Sequence, residues 1–147
     1  MPPWHWEGNV QAALVCHLTG DGYRIIKVSD TASKERGPDI VAITPAGEEL
    51  QVSVKGYPEG TERTHPATQA RHYFVDAFYD LFAWREENPK VILALGLPDF
   101  STYRKMSRRV ASGVRFVGAS LFWVFQDGHV EVEETFWETG KNGTWNV

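Results

Sequence analysis

Asp39 and Lys55 are the two residues of this chain whose types and positions suit them to act together. They lie in two short runs, Gly37-Pro38-Asp39-Ile40-Val41-Ala42-Ile43 and Leu50-Gln51-Val52-Ser53-Val54-Lys55-Gly56, with Pro45-Ala46-Gly47 between them. A carboxylate at the end of a strand can hold a hard cation such as Mg²⁺, which takes oxygen ligands and keeps several waters. A lysine beside it can offset charge that builds on a phosphate under attack. The plain alternative is a cross-strand ion pair with no chemistry.

Both runs read as strands, and the turn between them sets their register. Proline presets the first turn position, and Gly47 accepts a left-handed backbone at the third. Thr44 then pairs with Glu48, Ala42 with Leu50, Ile40 with Val52 and Asp39 with Ser53. Side chains alternate between faces. Asp39, Ser53 and Lys55 therefore share one face, while Ile40, Ala42, Leu50, Val52 and Val54 share an apolar one. Glu7 precedes Gln11, Leu14 and Leu18 at helical spacing, on the edge of a helix that faces the sheet. Taken alone, Glu7 is a first-turn acid that suits the helix dipole. Gln69 and Tyr73 stand four apart at the start of a second helix and share a face.

The remaining elements follow from pattern and punctuation. Val10, Ala13, Leu14, His17 and Leu18 mark the first helix, which Gly20-Asp21-Gly22 ends. Tyr23 to Val28 reads as a strand and Ser29 to Gly37 as a loop. A long helix begins near Pro66-Ala67-Thr68, with Pro66 suited to its first turn, and runs to about Glu87, stopping before Pro89. Val91 to Leu97 is an apolar strand, and Asp99 to about Ser112 a helix. Leu121 to Gln126 and Val130 to Glu134 form a hairpin across Asp127-Gly128. The order is α-β-β-β-α-β-α-β-β in one layered α/β domain spanning residues 1–147.

Glu on a helix, Asp on a strand, x-x-Lys-Gly on the next and Gln-x-x-x-Tyr on a helix together resemble the core of the PD-(D/E)XK nuclease superfamily. The Gln-x-x-x-Tyr element resembles its RecB-like branch. The resemblance covers about residues 7 to 97. It implies a restriction-endonuclease-like three-layer domain with a central mixed sheet, and Mg- or Mn-dependent hydrolysis of DNA phosphodiester bonds. It further implies Asp39 as first metal ligand, the Val54 carbonyl as another, and Lys55 as the residue that orients water or stabilises the transition state. Gln69 and Tyr73 would shape the DNA face.

One position departs from the pattern. The family carries Asp or Glu two residues before the lysine, where this chain has Ser53. A serine offers a neutral oxygen and no charge, so a site built on it holds Mg²⁺ more weakly. Three outcomes stand open. Glu7 supplies the charge; Gln51 or Glu49 on the same strand face does so; or the domain has lost catalysis and kept a surface for nucleic acid or a protein partner.

Bulk properties narrow the field. Of 147 residues, 42% are hydrophobic and 23% charged, as in an ordinary soluble domain. Net charge is −4 and the pI about 5.7, so any phosphate contacts must come from a local patch. Candidates are Arg71 and the run Arg104, Lys105, Arg108, Arg109 and Arg115, with a solvated helix face as the plain alternative. Cys16, the single cysteine, excludes an internal disulfide and reads as a buried small hydrophobe. The five histidines show no paired ligand spacing for zinc. Thr139-Gly140-Lys141 lacks the earlier glycine of a phosphate loop, position 135 being Thr. No nucleophile elbow is present. Trp4, Trp6, Trp137 and Trp145 lie near the termini, where they close the core or dock a partner. No signal peptide or membrane span is legible, which gives a cytoplasmic reading. The bareness of the chain around its site suggests a homodimer or a larger complex.

Overall fold

The structure, a computed structural model, describes residues 1–31 and 36–134. Trp137, Trp145 and Thr139–Lys141 lie outside the described residues. The chain forms α1 (Glu7–Gly20), β1 (Arg24–Val28), β2 (Ile40–Ile43), β3 (Glu49–Val54) and α2 (Pro66–Glu87). It continues through β4 (Ile92–Pro98), α3 (Ser101–Arg109), α4 (Ala111–Val117), β5 (Ala119–Val124) and β6 (Val130–Glu133). The fold is α/β, with six strands in one sheet in the order β1-β2-β3-β4-β5-β6. The sheet is mixed. β1, β2 and β3 pair antiparallel, β3, β4 and β5 parallel, and β5 and β6 antiparallel. Parallel neighbours need a long crossover. α2 supplies the first, and α3 with α4 the second.

Strand alternation sorts the core into two halves. Leu93, Leu95, Leu97, Leu121 and Trp123 face one way and are covered by Phe74, Ala77 and Leu81 of α2, Tyr103 of α3 and Val114 and Val117 of α4. Ile40, Leu50, Val52, Val54, Ala94, Phe122 and Val124 face the other way, under Val10, Leu14 and Leu18 of α1. Helices thus lie on both faces of the sheet.

Turn chemistry sets the β2–β3 ladder as expected. Ile40 pairs with Val52, Ala42 with Leu50 and Ile43 with Glu49. The Gly47 amide donates to the Thr44 carbonyl at 2.8 Å, with Gly47 at φ +88°. Punctuation sets α2 equally well. Pro66 fills its first turn, and the His65 side chain accepts the Ala67 amide at 3.1 Å. At its other end Arg85 donates to the carbonyls of Pro89, Val91 and Val117, tying helix, strand and α4 together.

Two expectations need correction. The segment 99–112 is not one helix: the chain bends at Val110 (φ −116°, ψ 26°) between α3 and α4. The bend lets Tyr103 and Ser107 bury from one helix and Val114 and Val117 from the next. Cys16 is exposed, on the side of α1 away from Val10, Leu14 and Leu18. Among the described residues, no helix is long and apolar enough to cross a membrane.

Candidate active site

The site forms where β3 runs out. The Lys55 amide still donates to the Gly96 carbonyl of β4 at 3.0 Å. By alternation its side chain leaves on the face of Ser53, toward α2, with Nζ 5.9 Å from the centre of the Tyr73 ring. Gly56 follows, and its bareness has a structural reason. A Cβ there would lie 2.5 Å from the Glu7 amide nitrogen and 2.7 Å from the His5 carbonyl oxygen. The Tyr57 amide donates to that same His5 carbonyl at 2.9 Å, and His5 Nδ1 lies 3.0 Å from the Tyr57 carbonyl. Buried Tyr103 donates its hydroxyl to the Gly56 carbonyl at 2.7 Å. Residues 5–7 and 55–57 therefore run together, and the first turn of α1 delivers Glu7 beside Lys55.

Asp39 arrives from β2 by a different device. The β2–β3 ladder stops at Ile40 and Val52. The Asp39 amide donates to the Val52 carbonyl at 2.9 Å, one residue out of step with the ladder. Its carboxylate Oδ2 then accepts the Val54 amide at 2.7 Å. The expected Asp39–Ser53 pairing is thus replaced by a side chain bound to the strand backbone one residue further on. Buried Gln11 of α1 fixes the position, donating through Nε2 to the carbonyls of Ser29 (3.0 Å) and Asp39 (3.1 Å).

The electrostatics join these elements. Burial raises Glu7 above the usual carboxylate range, repulsion from Asp39 adds to the rise, and Lys55 opposes it. Asp39 is likewise raised by burial, against the lowering effects of the Val54 amide and Lys55. Asp80 of α2 raises Asp39 a little further. Asp80 itself is raised by burial and by Asp76, with Lys55 lowering it. One lysine thus serves three carboxylates whose desolvation outweighs its help.

Glu7 and Lys55 open onto a cleft of about 770 Å³, whose walls include Trp6, Asp30, Tyr57, Glu59 and Tyr73. Among the residues expected here, Glu7, Asp39, Lys55 and Tyr73 come together. Gln69 sits one helical turn before Tyr73 and is half-buried. Ser53 lies on the lysine's face but is only 2% exposed, beside Leu95 of the covered half of the sheet. Gln51 and Glu49 bond to each other at 2.7 Å near the start of β3, far along the strand from Lys55. Arg71 is exposed and stands about 200° around α2 from Tyr73, so it does not share that face. Arg104 is engaged elsewhere. Its guanidinium lies 4.0 Å over the Trp123 ring and pairs with Asp99 (2.6 Å), Glu133 (3.1 Å) and Glu131 (3.8 Å). Lys105 and Arg108 are exposed on α3.

Sequence reasoning missed Gln11 as the residue that holds Asp39, Asp80 as a carboxylate near the lysine, and Asp76 as the acid beside Asp80. Asp76 and Asp80 follow Tyr73 by three and seven residues, the spacing of one helix face, and that signal was available.

Glu7 and Asp39 suit a divalent cation in donor type: both are oxygen ligands, and a cation would relieve the repulsion that raises them. Among the described residues, no group of three or more His, Cys, Asp or Glu stands ready to hold a metal. No protein-family model, curated protein or solved structure matches the chain.

Proposed function

We propose that this chain is a metal-dependent deoxyribonuclease domain of the restriction-endonuclease-like, PD-(D/E)XK kind, hydrolysing DNA phosphodiester bonds. The observation that carries the reading is the meeting of Glu7, Asp39 and Lys55, from three separate elements, at the end of β3. Glu7 stands in for the acid that Ser53 lacks. Mg²⁺ or Mn²⁺ held by Glu7 and Asp39 would supply a polarised phosphate and a more acidic water. Lys55 offsets the charge that develops on the phosphate oxygens. Tyr73 walls the cleft beside Lys55 and bounds the space a nucleotide can take.

The burial of Ser53 favours a second reading. A shielded serine offers no charge where the family has a ligand. On that reading the domain binds nucleic acid or a protein partner without cutting.

A nicking and cleavage assay on plasmid, linear and single-stranded DNA, with Mg²⁺ and Mn²⁺, separates the two. The expected outcome is cleavage that Asp39→Asn and Lys55→Met each reduce by at least about a hundredfold. Full activity in either variant overturns the assignment. No cleavage in wild type, with DNA affinity that falls as salt rises, establishes the binding module instead.

A further inference from the structure

The outer side of α2 carries a stripe that the cleft does not use. Thr68, His72, Val75, Tyr79, Phe82 and Glu86 follow one another at steps of four and three, and all are exposed. Val75 is 59% exposed, Tyr79 71% and Phe82 45%. Steps of four and three keep residues on one seam of a helix. At 100° per residue this seam lies opposite the buried line of Ala70, Phe74, Ala77 and Leu81, and well round from Tyr73 and Asp80. A valine, a tyrosine and a phenylalanine in line on a solvent face mark an interaction surface.

The charges at the two ends of the stripe say what covers it. Arg71 stands at its N-terminal end and Glu86 at its C-terminal end. The neighbouring cation at the C-terminal end, Arg85, is turned onto backbone carbonyls. A second α2 lying antiparallel across a two-fold at Tyr79 sets Tyr79 against Tyr79, Val75 beside Phe82, and Arg71 and His72 beside Glu86. Every contact occurs twice, as a two-fold axis requires. A parallel arrangement would set like charges together at both ends. The 22 residues of α2 span about 33 Å, enough for the spine of a dimer interface. We infer that this chain forms a two-fold homodimer through antiparallel α2 helices centred on Tyr79, an assembly independent of the chemistry in the cleft.

Sedimentation velocity on the full chain tests this. Wild type should pass from monomer to dimer with rising concentration, and Asp39→Asn should do the same. Tyr79→Glu should weaken association by about a hundredfold. Because Tyr79 is exposed, circular dichroism should show that variant folded. Arg71→Glu should weaken association by about tenfold, and adding Glu86→Arg should restore it. With Cys16→Ser in place, Tyr79→Cys should cross-link to its own copy under mild oxidation. Val75→Cys should not, because the two copies of that position lie about 12 Å apart along the axis. A wild type that stays monomeric overturns the inference. So does a dimer unmoved by Tyr79→Glu, a charge swap without rescue, or equal cross-linking at both cysteines.

Discussion

Glu7 shows what a half-buried acid costs the fold. Its pKa is pushed up mainly by burial, so the folded protein holds that proton more tightly than the unfolded chain does. The stability linked to Glu7 is therefore fully present below its unfolded value and lost as pH rises through its higher folded value. Glu7→Gln should melt at a higher temperature than wild type at neutral pH, and the gain should vanish below about pH 4. Thermal melts across pH check this; a variant less stable than wild type at pH 7 would place Glu7 in a structural role. At this scale the sequence was legible where spacing alone fixes neighbours. Glu7 at the head of α1 and Lys55 after β3 were found that way. Asp39's step out of register was not, because it depends on a carboxylate taking the Val54 amide in place of a backbone carbonyl. Arg104 read as a free cation because its partners Glu131 and Glu133 lie on a strand far along the chain.

Among the elements, the approach of α1 to the end of β3 is the most demanding contact. Gly56 admits the backbone of Glu7 where any side chain would collide with main-chain atoms. Gly56→Ala must push the α1 N-terminus away, at about 1–3 kcal/mol. It should reduce cleavage more than Asp80→Asn does, since it displaces Glu7 as a whole. Equal activity in Gly56→Ala and wild type would show that Glu7 is dispensable. The span of α2 was legible because prolines stand at positions 66 and 89, on either side of it. The break at Val110 was not, since no glycine or proline marks it and only the burial demands of two short helices produce it. Asp80 was overlooked for a related reason. Its spacing from Tyr73 puts it on the same face of α2, but which way that face points depends on how α2 crosses the sheet.

For the whole molecule, the carboxylates around Lys55 concentrate the electrostatic strain. The raised carboxylates Glu7, Asp39 and Asp80 all feel Lys55, and each destabilises the fold once ionised. A divalent cation that binds only the folded chain adds stability by mass action, about 2.7 kcal/mol at a hundred times its dissociation constant. Mg²⁺ or Mn²⁺ should therefore raise the melting temperature of wild type. The rise should grow as pH climbs through the carboxylate range, where protons cease to compete. Asp39→Asn should lose most of it. A melting temperature indifferent to both ions in wild type would remove the metal from the proposal and leave the binding module standing.

The hydrogen bond from the Val54 amide to Asp39 also governs how the site can be interrogated. Alanine at position 39 strips an acceptor from a partly buried backbone donor, so it perturbs the last turn of the β2–β3 pairing as well as the charge. A dead alanine variant would then report a displaced Lys55 as readily as a missing carboxylate. Asparagine keeps an oxygen for the amide and removes only the charge. The informative knockout at this position is the one that preserves the scaffold's own use of the residue.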